Sequence, residues 1–238
     1  MRIQFVSATK RYWGNTALES IDLVVEPGSL VAVLGVNGAG KSTLLRCLAT
    51  ELMLSKGTIL FDGEVLQRDR MELRRRLHWI PNSPPVFQNM DMLAQIAVTL
   101  DAYACLPDGI EVHVFDLLRE FSLLECEYLP TNQLSRGQQT KAALVAMIAL
   151  DRELWLIDEP FASGIDPLGM KAFKKHAREA TRRGNTVIYT SQILLIAETF
   201  ADQVVVLNRG KLVAQGTIDA IREASSGEKT LQGFFEQL

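Results

Sequence analysis

One stretch, Gly35-Val-Asn37-Gly38-Ala39-Gly40-Lys41-Ser42-Thr43, sets three glycines ahead of a lysine and two hydroxyls. Glycines let a backbone turn tightly enough for successive N–H groups to converge. A helix starting at the same point adds its own unpaired N–H groups, and the concavity takes phosphate. Lys41 would place a point charge on the β- and γ-phosphates of a nucleotide, and Ser42 would offer Mg²⁺ a hydroxyl. Downstream, Leu154-Trp-Leu-Ile-Asp158-Glu159 is an apolar run ending in two carboxylates. Asp158 is the expected second Mg²⁺ ligand, through water. Glu159 is the expected base orienting water toward the γ-phosphate, a role that contributes about 10² to 10⁴ in rate. Two surface acids capping a strand is the bland alternative for that segment alone, and the glycine loop upstream weighs against it.

The elements that must hold these groups can be read around them. The glycine loop follows LVAVL and precedes LLRCLA, the strand, loop and helix order that a phosphate site requires. Short β-branched runs at Ile21–Val25, Leu30–Leu34, Thr58–Phe61, Leu77–Ile80, Leu154–Ile157, Thr186–Tyr189, Val204–Leu207 and Leu212–Ala214 read as strands. The early ones lie close enough to pair antiparallel, and the opening residues alternate like a further strand. The later ones are nearly continuous apolar runs between helical patterns, as in a parallel sheet covered by helices. From Pro84 to Leu150 apolar residues recur at helical spacing instead. The expected fold class is α/β. It is one lobed domain over 1–238, with a core from 1–85 and 151–220, a helical subdomain at 86–150 and a helical tail at 221–238.

With these residues in place the chain resembles the nucleotide-binding subunit of ATP-binding cassette transporters, a P-loop NTPase (RecA-like) core with an antiparallel flank and an inserted helical subdomain. Leu134-Ser135-Arg136-Gly137-Gln138 resembles that family's LSGGQ signature, and Gln138 lies twenty residues before Asp158. Ser163-Gly-Ile-Asp166 resembles its D-loop. The resemblance implies ATP and Mg²⁺ as cofactors. It also implies head-to-tail dimers in which Ser135, Gly137 and Gln138 touch the nucleotide on the opposite subunit, with Asp166 nearby. Ser135 reads equally as the N-cap of a helix beginning near Gln138, and both roles are compatible. Tyr12 matches the aromatic that stacks on adenine, and Trp13 is the alternative ring. Asn37, Gly38, Ala39, Gly40, Lys41, Ser42 and Thr43 form the phosphate loop.

Three positions depart from the family. Asn82 stands where a glutamine reaches Mg²⁺ and the attacking water, and is one methylene shorter; Gln88 is a nearby amide. Gln192 stands where a histidine meets the γ-phosphate. An amide still donates to a phosphate oxygen but carries neither the charge nor the proton exchange of imidazole. With Glu159 and Lys41, Gln192 completes the expected catalytic set, with hydrolysis slower than in members having both usual residues. Arg136 replaces the first signature glycine, tolerable where the backbone does not need positive φ. Its guanidinium either adds charge near phosphate or is simply solvated. Together the departures also fit one half of an asymmetric heterodimer.

Composition bounds the partners. With 25 basic and 28 acidic residues, net charge −3 and pI about 5.7, no global cationic field recruits nucleic acid. Three cysteines are too few and scattered for a disulfide framework, which points to a reducing compartment. The opening MRIQFVSATKRYWG has no apolar leader core, so a mature start at Met1 is expected. The longest apolar run, Ala142–Leu150, is far short of the about 20 residues a span needs. The arginines at 68, 70 and 74–76 read as a solvated helix face, and the three histidines as structural or surface. Few charges between Val86 and Leu106 suit core packing, and in the family this region receives a coupling helix of the membrane subunit. The tail stripe Leu231, Phe234, Phe235, Leu238 resembles the closing helix of exporters. The expected function is the ATPase subunit of a membrane transporter, with export as the expected direction. It would pair with a like or unlike ATP-binding subunit and sit on the cytoplasmic face through membrane-spanning partners. A soluble ATP-gated clamp and a nucleotide-binding regulator without turnover are the alternatives.

Overall fold

The computed structural model describes residues 1–238 except 88, 105, 106, 163 and 225–238. The chain opens with a long hairpin, β1 (Ile3–Tyr12) and β2 (Asn15–Val25), followed by β3 (Leu30–Leu34) and, after the glycine loop, α1 (Lys41–Leu48). Next come β4 (Lys56–Phe61), β5 (Glu64–Val65), the single turn α2 (Met71–Arg74) and β6 (Leu77–Ile80). The helical layer is α3 (Met92–Ala102), α4 (Ile110–Glu120) and α5 (Arg136–Leu150). The chain returns through β7 (Leu154–Ile157), α6 (Pro167–Arg182), β8 (Thr186–Ser191), α7 (Leu194–Phe200), β9 (Gln203–Asn208), β10 (Lys211–Thr217) and α8 (Ile218–Ala224).

Two sheets result. One is antiparallel in the order β2-β1-β4-β5; the other runs β10-β9-β3-β8-β7-β6, parallel except for β10 at its edge. All five residues of β3 are buried, and its period-2 alternation splits them between two cores. Leu30, Ala32 and Leu34 face the helical layer, while Val31 and Val33 face α1 and the antiparallel flank. A strand buried on both faces must be apolar throughout, hence the unbroken LVAVL.

The stripe Met92, Ile96, Leu100 is core, buried against α5. The signature helix α5 starts at Arg136, two residues earlier than its sequence suggests, because Ser135 caps it. Two members of the arginine run pair with acids, Arg70 with Glu64 and Glu72, and Arg76 with Asp62 and Glu153. The tail stripe from Leu231 lies outside the described residues. Among those described, no helix is long and apolar enough to cross a membrane.

Candidate functional site

The glycine loop leaves the carboxyl end of β3 and turns into α1 at Gly40, whose φ of 107° is a left-handed conformation. A Cβ at Gly40 would lie 2.6 Å from the Ala17 carbonyl oxygen on β2, so no other residue fits under that strand. At the tip of the β1–β2 hairpin Tyr12 is half-exposed and Trp13 fully exposed. The first N–H groups of α1 have no acceptor within the helix. Its first turn holds no acid and its N-cap no side-chain bond, which leaves its positive end open to an anion.

Lys41 is buried, and its Nζ donates to the Gly35 carbonyl at 2.8 Å and lies 3.4 Å from Glu159 Oε1. Ser42 Oγ donates to Asp158 Oδ1 at 3.0 Å. Strand β8 braces both acids through Thr190, whose Oγ1 donates to Asp158 Oδ1 at 2.6 Å and accepts the Glu159 N–H at 2.8 Å. Glu159 sits at φ 50°, a conformation a residue with a side chain adopts only under constraint. Just past β8, Gln192 Nε2 donates to Glu159 Oε1 at 3.2 Å. The phosphate loop, both acids and Gln192 thus meet at the carboxyl edge of the parallel sheet, where α/β folds bind ligands.

A cleft of about 540 Å³ lined by Gly35, Val36, Asn37, Gln192 and Leu194 opens over this edge. A roomier cavity, about 640 Å³ beside Cys47 and Thr50, contains none of these groups. Ser42 and Asp158 are hard oxygen donors, and no cluster of three His, Cys, Asp or Glu is placed to cage a metal among the described residues. That set fits Mg²⁺, which keeps waters and takes phosphate oxygens alongside one or two protein ligands.

In the helical layer, Ser135 Oγ accepts the Gln138 N–H at 3.2 Å while Gln138 Oε1 accepts the Ser135 N–H at 2.8 Å, a reciprocal cap on α5. Gly137 is buried one position before Gln138. Arg136 has ordinary helical backbone, so replacing a glycine there brings no strain, and its Nη2 donates to Asn82 Oδ1 at 3.0 Å. Asp166 caps α6 through Gly169 N at 2.7 Å, and its other oxygen accepts from buried Lys141 Nζ at 2.6 Å. The Lys141 bond, with the Gly169 N–H, holds the Asp166 carboxyl below its ordinary range.

Residues 18–162 match the family described as ABC transporter. The chain belongs to the ABC transporter family. Its cassettes bind ATP and support ATP hydrolysis. The ABC-type transporter ATP-binding protein EcsA of Bacillus subtilis (strain 168) is 30% identical over 216 residues, covering 90% of this chain and 87% of that one. The energy-coupling factor transporter ATP-binding protein EcfA of Methanococcus maripaludis is 33% identical over 226 residues, covering 92% and 79%. A solved structure of an ATP binding subunit of an ABC transporter superimposes with a TM-score of 0.91 at 28% identity, over 100% of this chain and 99% of that one.

The structure of this ABC cassette brings Lys41, Ser42, Asp158, Glu159 and Gln192 together. It places Ser135, Gly137 and Gln138 at the start of α5, and Asp166 on Lys141. Gln88 and Ser163 lie outside the described residues. Two residues escaped the sequence reading. Thr190 had only a weak signal in TVIYTS, one of several hydroxyls on a fully buried strand. Lys141 had a clearer one: it falls on the buried stripe Gly137, Lys141, Leu144, Ile148 of α5, where a charge requires a partner.

Proposed function

We propose that this chain is the ATP-binding and ATP-hydrolysing subunit of a membrane transporter, acting as a head-to-tail dimer around ATP. The observation that carries the reading is the convergence of Lys41, Ser42, Asp158 and Glu159 within hydrogen-bond and ion-pair reach at one sheet edge. Lys41 neutralises the β- and γ-phosphates, and the amides of Asn37–Thr43 cradle them. Ser42 and Asp158 hold Mg²⁺, with Asn82 as a further ligand. The metal, when bound, draws charge from the transferring phosphoryl group. Glu159 orients and deprotonates the attacking water, Gln192 donates to the γ-phosphate, and Tyr12 stacks on the base. Ser135, Gly137 and Gln138 serve the nucleotide of the opposite subunit, beside Asp166.

The chain works as one cassette whose helical subdomain, 86–150, faces the membrane partner. A small groove of about 110 Å³ between β6 and the helices, with Phe87 half-exposed at its rim, suits a partner helix. Docking there would hold the subunit at the cytoplasmic face. The relatives' names include energy-coupling factor transporters; our reading of the direction as export rests on the tail stripe Leu231 to Leu238. Turnover is slower than with a histidine at 192. The deciding experiment is light scattering of the Glu159→Gln variant with and without Mg²⁺-ATP. An ATP-dependent rise from monomer to dimer is expected, and monomers under all conditions sink the reading.

A further inference from the structure

Asn82 lies two residues beyond β6, and the Ile80 carbonyl at the end of that strand accepts the Asp158 N–H at 2.9 Å. The segment carrying Asn82 therefore leaves the sheet edge that also carries Asp158. Oδ1 is the one good Lewis base on that side chain, and it already has a cation: the Arg136 guanidinium at 3.0 Å, with the same nitrogen 3.5 Å from the Asn82 main-chain oxygen. Arg136 is the first residue of α5, immediately after Ser135. One contact thus joins the start of the signature helix to the sheet edge of the same subunit.

A carboxamide oxygen turned to a guanidinium is not free for Mg²⁺, and two cations sharing it would repel each other. We propose that Arg136 and Asn82 form a latch within one subunit. The guanidinium holds the Asn82 oxygen, and with it the N-terminal end of α5, until Mg²⁺-nucleotide takes the oxygen and frees Ser135 and Gly137 to meet the opposite subunit. Arg136 is a positioning residue in this scheme, acting through Asn82. The latch rests on the ATPase reading above. Both side chains are exposed, so the effect is modest: exposed charge contacts correspond to about two- to fivefold in an equilibrium constant.

The test uses the full chain, with Mn²⁺ as the metal probe and a nonhydrolysable ATP analogue. Free Mn²⁺ is read by electron paramagnetic resonance for wild type, Arg136→Ala, Asn82→Ala and the double variant. Arg136→Ala tightens Mn²⁺ by about two- to fivefold on the same grounds, and Arg136→Lys restores part of the loss of restraint. In the Asn82→Ala background, removing Arg136 changes nothing further. A second readout needs no nucleotide: amide hydrogen exchange at 135–138 quickens equally in Arg136→Ala, Asn82→Ala and the double variant. Equal tightening by Arg136→Ala in both backgrounds would mean general charge repulsion and overturn the latch, as would unchanged exchange. If the wild-type chain takes no nucleotide, the ATPase reading falls and release by nucleotide falls with it, while the exchange measurements still decide whether the Arg136–Asn82 contact restrains the start of α5.

Discussion

Thr190 is where the geometry makes its sharpest demand. Its hydroxyl is fully buried, spends its one proton on Asp158 and accepts the backbone N–H of Glu159. Thr190→Val keeps the shape of the side chain and removes both bonds. A buried hydrogen bond to a charged group contributes about 1.5–3 kcal/mol, and an orphaned buried N–H costs about 1–3 kcal/mol. Ser42 still holds Asp158, so the combined loss is about 3–5 kcal/mol. That is a large part of the about 5–15 kcal/mol by which a domain is stable. It also removes the brace on Glu159, whose φ of 50° nothing local favours. The assay is urea unfolding followed by the fluorescence of fully buried Trp155, paired with steady-state ATP turnover. Thr190→Val should unfold at clearly lower urea and turn over at least about tenfold slower. Thr190→Ser, which keeps the hydroxyl, should restore most of both. If valine and serine behave alike, the hydroxyl is not what holds the two acids, and the account of the site is wrong.

Other changes probe the same network from different sides. Gln192→His should raise turnover by about tenfold, a fraction of the 10² to 10³ attached to a well-placed transition-state donor, while Glu159→Gln should nearly abolish turnover and spare ATP binding; direct turnover and nucleotide-binding assays read both. Burial, aided by the nearby Arg152 charge, pushes the His78 pKa down to about 4 from 6.5. The unfolded chain therefore binds the extra proton between these values. The neutral-His stability is complete above about pH 6.5 and drains away by about 3 kcal/mol as pH falls to about 4. Unfolding across that window should show this slope in wild type and lack it in His78→Phe. Lys141→Met keeps the stem packed over Gly169, so stability should change by less than about 1.5 kcal/mol, yet Asp166 loses its tether and turnover should fall. The wild-type ion pair should itself persist above the ordinary carboxylate range and be lost only as pH falls through the depressed Asp166 pKa, an effect that nuclear magnetic resonance titration of the Asp166 carboxyl would reveal.

The phosphate loop and the acid pair were legible because their chemistry is local: the glycines, Lys41 and Ser42 adjoin in the chain, and four apolar residues place Asp158 and Glu159 at a strand end. The parallel strands were legible for a similar reason, since burial on both faces leaves no polar position. Antiparallel pairing expected of the early runs holds for Ile21–Val25 and Thr58–Phe61 on either side of β1, but Leu30–Leu34 pairs parallel with β8 and β9, because a strand buried on both faces sits inside the helix-covered sheet. β1 and β2 extend past their apolar runs because backbone pairing carries register through polar residues such as Lys10 and Thr16. What the sequence withheld was pairing between distant segments. Nothing in the chain order announces that Thr190 meets Asp158, that Lys141 meets Asp166, or that two departures 54 positions apart, Asn82 and Arg136, meet each other.

These pairings change how nucleotide entry must be reckoned. Lys41 is engaged by the Gly35 carbonyl and Glu159, Asp158 by Ser42 and Thr190, Glu159 also by Gln192, and Asn82 by Arg136. On the ATPase reading, ATP therefore does not fill a set of vacant contacts; it exchanges partners. Lys41 gives up a carboxylate for a phosphate, and the gain is the difference between two ion pairs in a buried setting, much smaller than either alone. The exchange has a chemical product. Glu159, released from the ammonium, has carboxylate capacity free to accept a hydrogen bond from water at the moment phosphate occupies the loop. The acid that must activate water is thus restrained until there is something for the water to attack.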